Sequence, residues 1–366
     1  MSTEIWISDG GRAGQSTADR ARHIEDDGWD GYSLGDSHTF APDPYPLLGA
    51  AAAATSRLKL GTWVTNPATR HAAVTAAAIG AVQSESGGRA HLGIARGDSP
   101  LAHLGLAPSS PKAFEAYLSQ LQHYLRGEIV DHTSDNTSAA NGAGVAARTL
   151  DQSNILNEEG RPTQNRLQWI HEAGPKVPID VAASGPKVIQ LAARVADRMT
   201  FAVGADLERL AWAKDIATKE MAAAGRTGEV GLGACVQVVV APTRDEGREI
   251  VSGGVVSYAR FAVMHGKVTG PVSAATKEAL ENVHQKYNMN DHVLEGAEHA
   301  RNLPAETIDA FAVTGPVDHC VERLRGMIDM GLSRLLLFHG AFRSNDPDAR
   351  RESDRLLAHE VLPALR

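Results

Sequence analysis

Between Arg57 and Leu101 the chain reads RLKLGTWVTNPATRHAAVTAAAIGAVQSESGGRAHLGIARGDSPL. This spacing constrains the fold more than any other part of the sequence. Leu58–Val64 has the apolar, β-branched character of a buried strand, His71–Ser84 is a run of small residues at helical length, and Ala90–Ala95 is a second buried strand after a Gly87-Gly88 turn. A strand, a helix and a second strand joined by short turns form a βαβ unit, whose two strands must lie parallel in one sheet.

The pattern recurs along the whole chain. Strands are expected at Glu4–Ser8, Gly31–Leu34, Leu58–Val64, Ala90–Ala95, Val177–Ala183, Met199–Val203, Val230–Ala241 and Arg334–Phe338. Helical spacing follows each, at Ala18–Asp27, Pro44–Thr55, His71–Ser84, Pro111–Arg126, Pro186–Val195, Asp206–Ala224, Arg244–Val263 and, after further helical material over Ser273–His299, at Val317–Met330 and Asp348–Leu362. Eight βα units with right-handed crossovers close into a single (β/α)8 TIM barrel. At 366 residues the chain holds one such α/β domain, 1–366, with an irregular insertion at about 131–166, rich in Ser, Thr, Asn and Gly, and a helical insertion at about 243–310.

Composition narrows the function. The formal net charge of −8 argues against nucleic acid or an anionic membrane as partner. Two distant cysteines, Cys235 and Cys320, make neither a disulfide framework nor a zinc site. The histidines are scattered, so no metal is expected. The opening MSTEIWISDGG has no signal-peptide pattern and the longest small-apolar run is too short to span a bilayer, so a cytoplasmic protein acting on a small organic molecule is expected.

In a parallel barrel, chemistry gathers where the strands end. The residues there are Asp9 and Gly10; Asp36, Ser37 and His38; Thr65 and Asn66; Arg96, Gly97 and Asp98; Ser184 and Gly185; Gly204; and His339. Asp36 and His38 offer an acid/base pair, and the plainer alternative is a solvated turn, GDSHTFAPDP. Asn66-Pro67 ends a strand abruptly. Gly97 lets backbone approach a ligand, and Asp98 is either a rim carboxylate or the N-cap of a following turn. Ser184-Gly185-Pro186 opens a helix whose N–H groups suit an anion, or simply caps it. The second such string, Thr314-Gly315-Pro316, reads as plain capping, with no long strand before it.

These segments resemble the luciferase-like monooxygenase superfamily, and most closely its methylenetetrahydromethanopterin reductase type, which uses the deazaflavin coenzyme F420. The resemblance rests on LGTWVTNPATRHAAVTAAAIGAVQSESGGRAHLGIARGDS, GWDGYSLGDSH, VAASGPKVIQLAARVADRMTFAVGAD and HCVERLRGMIDMGLSRLLLF. It implies the same barrel and a two-electron oxidoreductase with coenzyme F420, or alternatively FMN, on the carboxyl rim. It also implies a non-prolyl cis peptide at Trp63–Val64, ending the third strand. By this resemblance Trp63, Val64, Thr65, Asn66, Ser184, Gly185 and Pro186 contact the cofactor, to which the strand-end reading adds Gly97 and Gly204, and Asp36, His38 and Asp98 are the candidates for proton transfer. A Ser stands between the Asp and the His here, where relatives have them adjacent. A reduced-FMN monooxygenase and a non-catalytic flavin-binding barrel are the rival readings. Related barrels pair as dimers, and the Ala-rich helices Pro44–Thr55 and His71–Ser84 are the expected homodimer faces.

Overall fold

The computed structural model describes residues 3–11, 13–131, 164–292, 294, 297–339 and 346–366. Its centre is a closed ring of parallel strands. In chain order these are β1 (Glu4–Asp9), β2 (Gly31–Leu34), β3 (Lys59–Thr65), β4 (Ala90–Ile94), β7 (Ile179–Ala183), β8 (Arg198–Phe201), β9 (Gly231–Val240) and β11 (Arg334–His339). Each strand pairs with the next, and β11 lies between β9 and β1, which completes the barrel. The eight strands expected from the sequence are the eight found. A two-stranded antiparallel ribbon, β5 (Val130–Asp131) with β6 (Gln164–Asn165), brackets the irregular insertion, most of which lies outside the described residues.

Alternation along the strands separates two cores. Outward residues such as Ile5, Ile7, Leu335 and Leu337 pack under the helices. Inward residues Trp6, Trp63, Cys235, Leu336 and Phe338 form the plug of the barrel. Below the plug sits a buried ionic cluster. Arg334 donates to Glu4 at 2.8 Å and to Asp180 at 3.1 Å, and its guanidinium covers the Trp6 ring at 3.9 Å. Arg334 is 1% exposed, so each of its partners is needed to offset the loss of solvation. With the bottom closed in this way, the open end of the barrel is the carboxyl rim.

The helices begin where the sequence puts caps. Ser16, Asp43, Ser110, Asp206 and Ser273 each accept from a backbone N–H of the first turn, and Thr243 and Glu246 form a capping box. Gly28 lies just past the first helix with φ +91, the left-handed geometry of a helix end.

One element departs from the expectation. Residues Ala312–Gly315 form a short strand, β10, which pairs with Gln237–Val240 of β9. On that edge β9 meets β8 through Gly231–Ala234, so β10 extends the line of β8 upward. The Thr314-Gly315-Pro316 string therefore does follow a strand, though only a short one, and there Gly315 packs against Arg244. Between β9 and β10 run the helices Arg244–Ala259, Ala274–Lys286 and Ala305–Phe311, the 3-10 turn Arg260–Ala262 and two further 3-10 turns. They carry a separate small core around Val251, Val255, Leu280 and Phe311. No helix among the described residues is long and apolar enough to cross a membrane.

Candidate active site

The end of β3 builds the floor of the rim. The Trp63–Val64 peptide is cis, and the pairing of β3 with β4 shifts register between Thr62 and Thr65. Thr65 and Asn66 follow, both buried. Asn66 uses its carbonyl oxygen locally, accepting from Ala68 N at 3.0 Å and Thr69 N at 3.1 Å. Its Nδ2 is buried with no hydrogen-bond partner among the described residues. A buried amide donor left unpaired costs about 1–3 kcal/mol, so it calls for an acceptor beyond the described residues. Behind this floor, Tyr258 packs against the plug formed by Trp63 and Cys235, and burial together with Cys235 holds its hydroxyl well above the ordinary tyrosine range.

Asp36 ends β2 and is 9% exposed. Its Oδ2 accepts from Thr65 Oγ1 at 2.7 Å and from Arg70 at 2.7 Å. Arg70 also pairs with Asp43 and lies 4.9 Å over the Tyr45 ring. Asp36 thus ties the β2 turn to the TNPATRH turn. His38, two residues on, lies exposed in its turn and is not part of the cavity wall; the structure does not bring it to Asp36.

Asp98 follows β4. It occupies the N-cap position of a short helix, Ser99–Ala102, but makes no capping bond with its side chain. Its carboxylate instead accepts from Arg260, which is 8% exposed and belongs to the insertion after β9. Arg260 lies 4.5 Å over the Tyr287 ring, and Tyr287 hydrogen-bonds His292 at Nδ1. Arg260, Tyr287 and His292 were not singled out in the sequence. Their only sequence signal is a set of aromatic and basic residues inside an otherwise polar helical stretch.

The remaining candidates divide. Gly97 has φ +95, and a Cβ there would lie 2.3 Å from Leu101, so the backbone needs glycine. Ser184 reaches the cavity wall, while Gly185 is the N-cap of Pro186–Val195 and Pro186 its first residue; neither of these two lines the cavity. Gly204 has φ +105 and packs against Ala310 and Phe311. Its place is in the contact with the insertion, away from the cavity.

Together these residues surround a cavity of about 910 Å³ on the carboxyl rim. Its walls include Trp63, Val64, Thr65, Asn66, Gly97 and Asp98 from the strand ends, and Phe261, Met264 and His292 from the insertion. A flat heteroaromatic ring bearing carbonyl oxygens fits this donor set. The Asn66 amide offers the missing hydrogen bond, Gly97 the close backbone approach and Trp63 with Val64 an apolar wall. No group of His, Cys, Asp and Glu that could hold a metal occurs among the described residues.

The luciferase-like monooxygenase family model matches residues 3–334. The chain is 27% identical over 352 residues to the 5,10-methylenetetrahydromethanopterin reductase of Archaeoglobus fulgidus, covering 93% of both chains. It is 28% identical over 336 residues to the F420-dependent glucose-6-phosphate dehydrogenase of Beutenbergia cavernae, covering 89% of this chain and 84% of that one. Among solved structures, the coenzyme F420-dependent tetrahydromethanopterin reductase from Methanopyrus kandleri superposes with a TM-score of 0.71 at 18% identity, over all of both chains. The oxygenating constituent of 3,6-diketocamphane monooxygenase from Pseudomonas putida, in complex with FMN, does so with a TM-score of 0.60 at 19% identity, over 99% of this chain and 98% of that one. These structures share the barrel, and the match along nearly the whole sequence makes this chain a member of the luciferase-like monooxygenase family.

Proposed function

We propose that this protein is a coenzyme F420-dependent oxidoreductase that transfers a hydride between the deazaflavin and an organic substrate. The observation that carries the reading is Asn66, a residue of the cavity wall at the end of β3 beside Trp63 and Gly97, whose Nδ2 finds no hydrogen-bond partner among the described residues. The F420 dependence named for the dehydrogenase relative directs the choice of cofactor.

Coenzyme F420 supplies hydride chemistry at its ring when bound. The chain's own residues hold, orient and shield it. Asn66 would donate to a carbonyl of the ring, Trp63 and Val64 would give it an apolar wall, and Thr65 is fixed by Asp36. Gly97 gives clearance, and Ser184 with Gly185 and Pro186 stands where an anionic tail would meet a helix start. Holding both reactants in one water-poor cavity is the main source of acceleration in such a reaction. Asp36 and Asp98 position their neighbours, Thr65 and Arg260. His38, outside the wall, is assigned no step.

Quenching of deazaflavin fluorescence on titration with the purified protein tests this reading. Saturable quenching by the wild type, undiminished by an equal concentration of FMN, is expected. Tight FMN binding with no F420 binding moves the protein to the reduced-FMN monooxygenase reading. We further propose a homodimer through the small-residue faces of helices Pro44–Ala54 and Ala72–Glu85, where Val74 is 56% exposed. Sedimentation of a single monomeric species would contradict it.

A further inference from the structure

The cavity wall holds a guanidinium for which the described residues supply no counterion. Arg96 follows β4, lines the cavity and is partly buried. Its Nε donates to the Ser109 carbonyl oxygen at 2.5 Å, and Ser109 N donates to the Arg96 carbonyl oxygen at 3.0 Å. Those two bonds hold Arg96 to the segment that leads into the helix Pro111–Leu125. Its two terminal Nη groups make no hydrogen bond or ion pair among the described residues. Burial alone acts on the group and pulls it below its ordinary value, with no carboxylate to offset the loss of solvation. An arginine keeps its charge at neutral pH regardless.

Other arginines drawn out of water in this chain are satisfied. Arg89 has no ion pair among the described residues, yet it donates to the carbonyls of Ala52, Thr55, Leu58 and Ser86 and to the Thr55 hydroxyl, which engages all five of its N–H groups. Arg70 meets Asp36 and Asp43, and Arg260 meets Asp98. Arg96 spends one N–H group on Ser109 and leaves the fork of its two Nη groups for a ligand.

We propose that Arg96 binds, through both Nη groups, the carboxylate of a singly charged organic acid, and so sets the substrate class of the cavity. The inference rests on the oxidoreductase reading above and deepens it. A carboxylate matches the fork with two parallel, charge-assisted N–H···O bonds. One negative charge is what the site lacks. At the neighbouring strand ends Asp9 lies 3.6 Å from Arg20, and Asp36 and Asp98 are paired with Arg70 and Arg260, so the charge left over there is the single positive one of Arg96. A phosphate monoester, doubly charged above its second pKa, would overshoot it in a wall that already holds Asp36 and Asp98. Phe40, Phe261 and Met264 line the same cavity, so the acid has an apolar body.

Calorimetric titration of the full chain with cyclohexanecarboxylate and with cyclohexanecarboxamide isolates the charge, because the two share size and shape. This arm uses no cofactor, so it stands apart from any failure of F420 to bind. Saturable binding of the carboxylate is expected, tighter than the amide by about 10-fold or more. Arg96→Gln should abolish that preference, and Arg96→Lys, which keeps the charge without the fork, should keep only part of it, with the circular dichroism of both variants unchanged. No saturable binding of the carboxylate, or a preference that survives Arg96→Gln, overturns the proposal. Cyclohexyl phosphate binding more tightly than the carboxylate overturns the single-charge match. F420 carries an anionic tail of its own, so a last arm adds F420 or the deazaflavin lacking that tail. A carboxylate that stays bound beside F420 supports the proposal. Displacement by F420 but not by the tail-less deazaflavin assigns Arg96 to the cofactor and overturns the substrate class.

Discussion

At the scale of single residues, Asn66 separates its two jobs onto two atoms, which makes it a clean target. Its oxygen satisfies the turn at Ala68 and Thr69, while its Nδ2 has no hydrogen-bond partner among the described residues. Asn66→Asp keeps the acceptor and deletes the donor. We expect F420 affinity to fall by about 10-fold or more, from a lost hydrogen bond of about 1–3 kcal/mol, with the urea midpoint little changed. Asp36→Asn leaves Arg70 and Thr65 without a charged acceptor. With Asp43 still beside Arg70, a loss of about 2 kcal/mol in urea unfolding is expected. Asp36, Asn66 and Asp98 could be placed on the rim from the sequence because strand ends in a (β/α)8 barrel share one rim, so a residue's place along its strand gives its place in space, whereas Trp63 comes from the family resemblance. His38 shows the limit of that argument: four residues beyond the end of β2 the chain has already turned outward. Arg260, Tyr287 and His292 were not legible, because nothing in local periodicity says how a helical insertion folds back across a rim.

At the scale of elements, the tightest contact lies between β3 and β4. A Cβ on Gly93 would stand 2.0 Å from the Thr62 carbonyl oxygen, which is backbone and cannot rotate away. Gly93→Ala is expected to destabilise by about 3 kcal/mol or more, read as a lower urea midpoint, whereas Gly49→Ala on the helix Pro44–Ala54, where a Cβ would meet nothing within 4 Å, should be neutral to stabilising. Helices with polar caps and strands with continuous apolar runs were read from sequence to within a few residues. Pro186–Val195 was found as expected, and Leu58–Val64 moved only to Lys59–Thr65. The strand Ala312–Gly315 escaped because it is defined by its pairing with β9, which local sequence does not encode.

At the scale of the whole molecule, the buried ionic cluster under the barrel plug makes stability depend on pH. Burial alone would raise the Glu4 carboxyl, but Arg334 and Lys59 outweigh it and bring it from 4.5 to about 2. A carboxyl with a depressed folded pKa contributes stability above the unfolded value and loses it as pH falls through the folded one, here between 4.5 and about 2. That contribution is of order 3 kcal/mol. His91 in the same cluster is held far below 6.5, by burial first and Arg334 second. It stays neutral in the fold while the unfolded chain protonates, so stability falls as pH drops below 6.5. Both groups act in the same direction. Urea midpoints should decline from pH 6.5 downward and more steeply below 4.5, and His91→Gln should flatten the upper part of the decline.

The most direct measurement of the central claim is a crystal structure of the protein with coenzyme F420. The account predicts the ring against Trp63 and Val64, with a ring carbonyl within hydrogen-bond distance of Asn66 Nδ2. A ring bound elsewhere in the cavity, or Asn66 Nδ2 still without an acceptor, would contradict it.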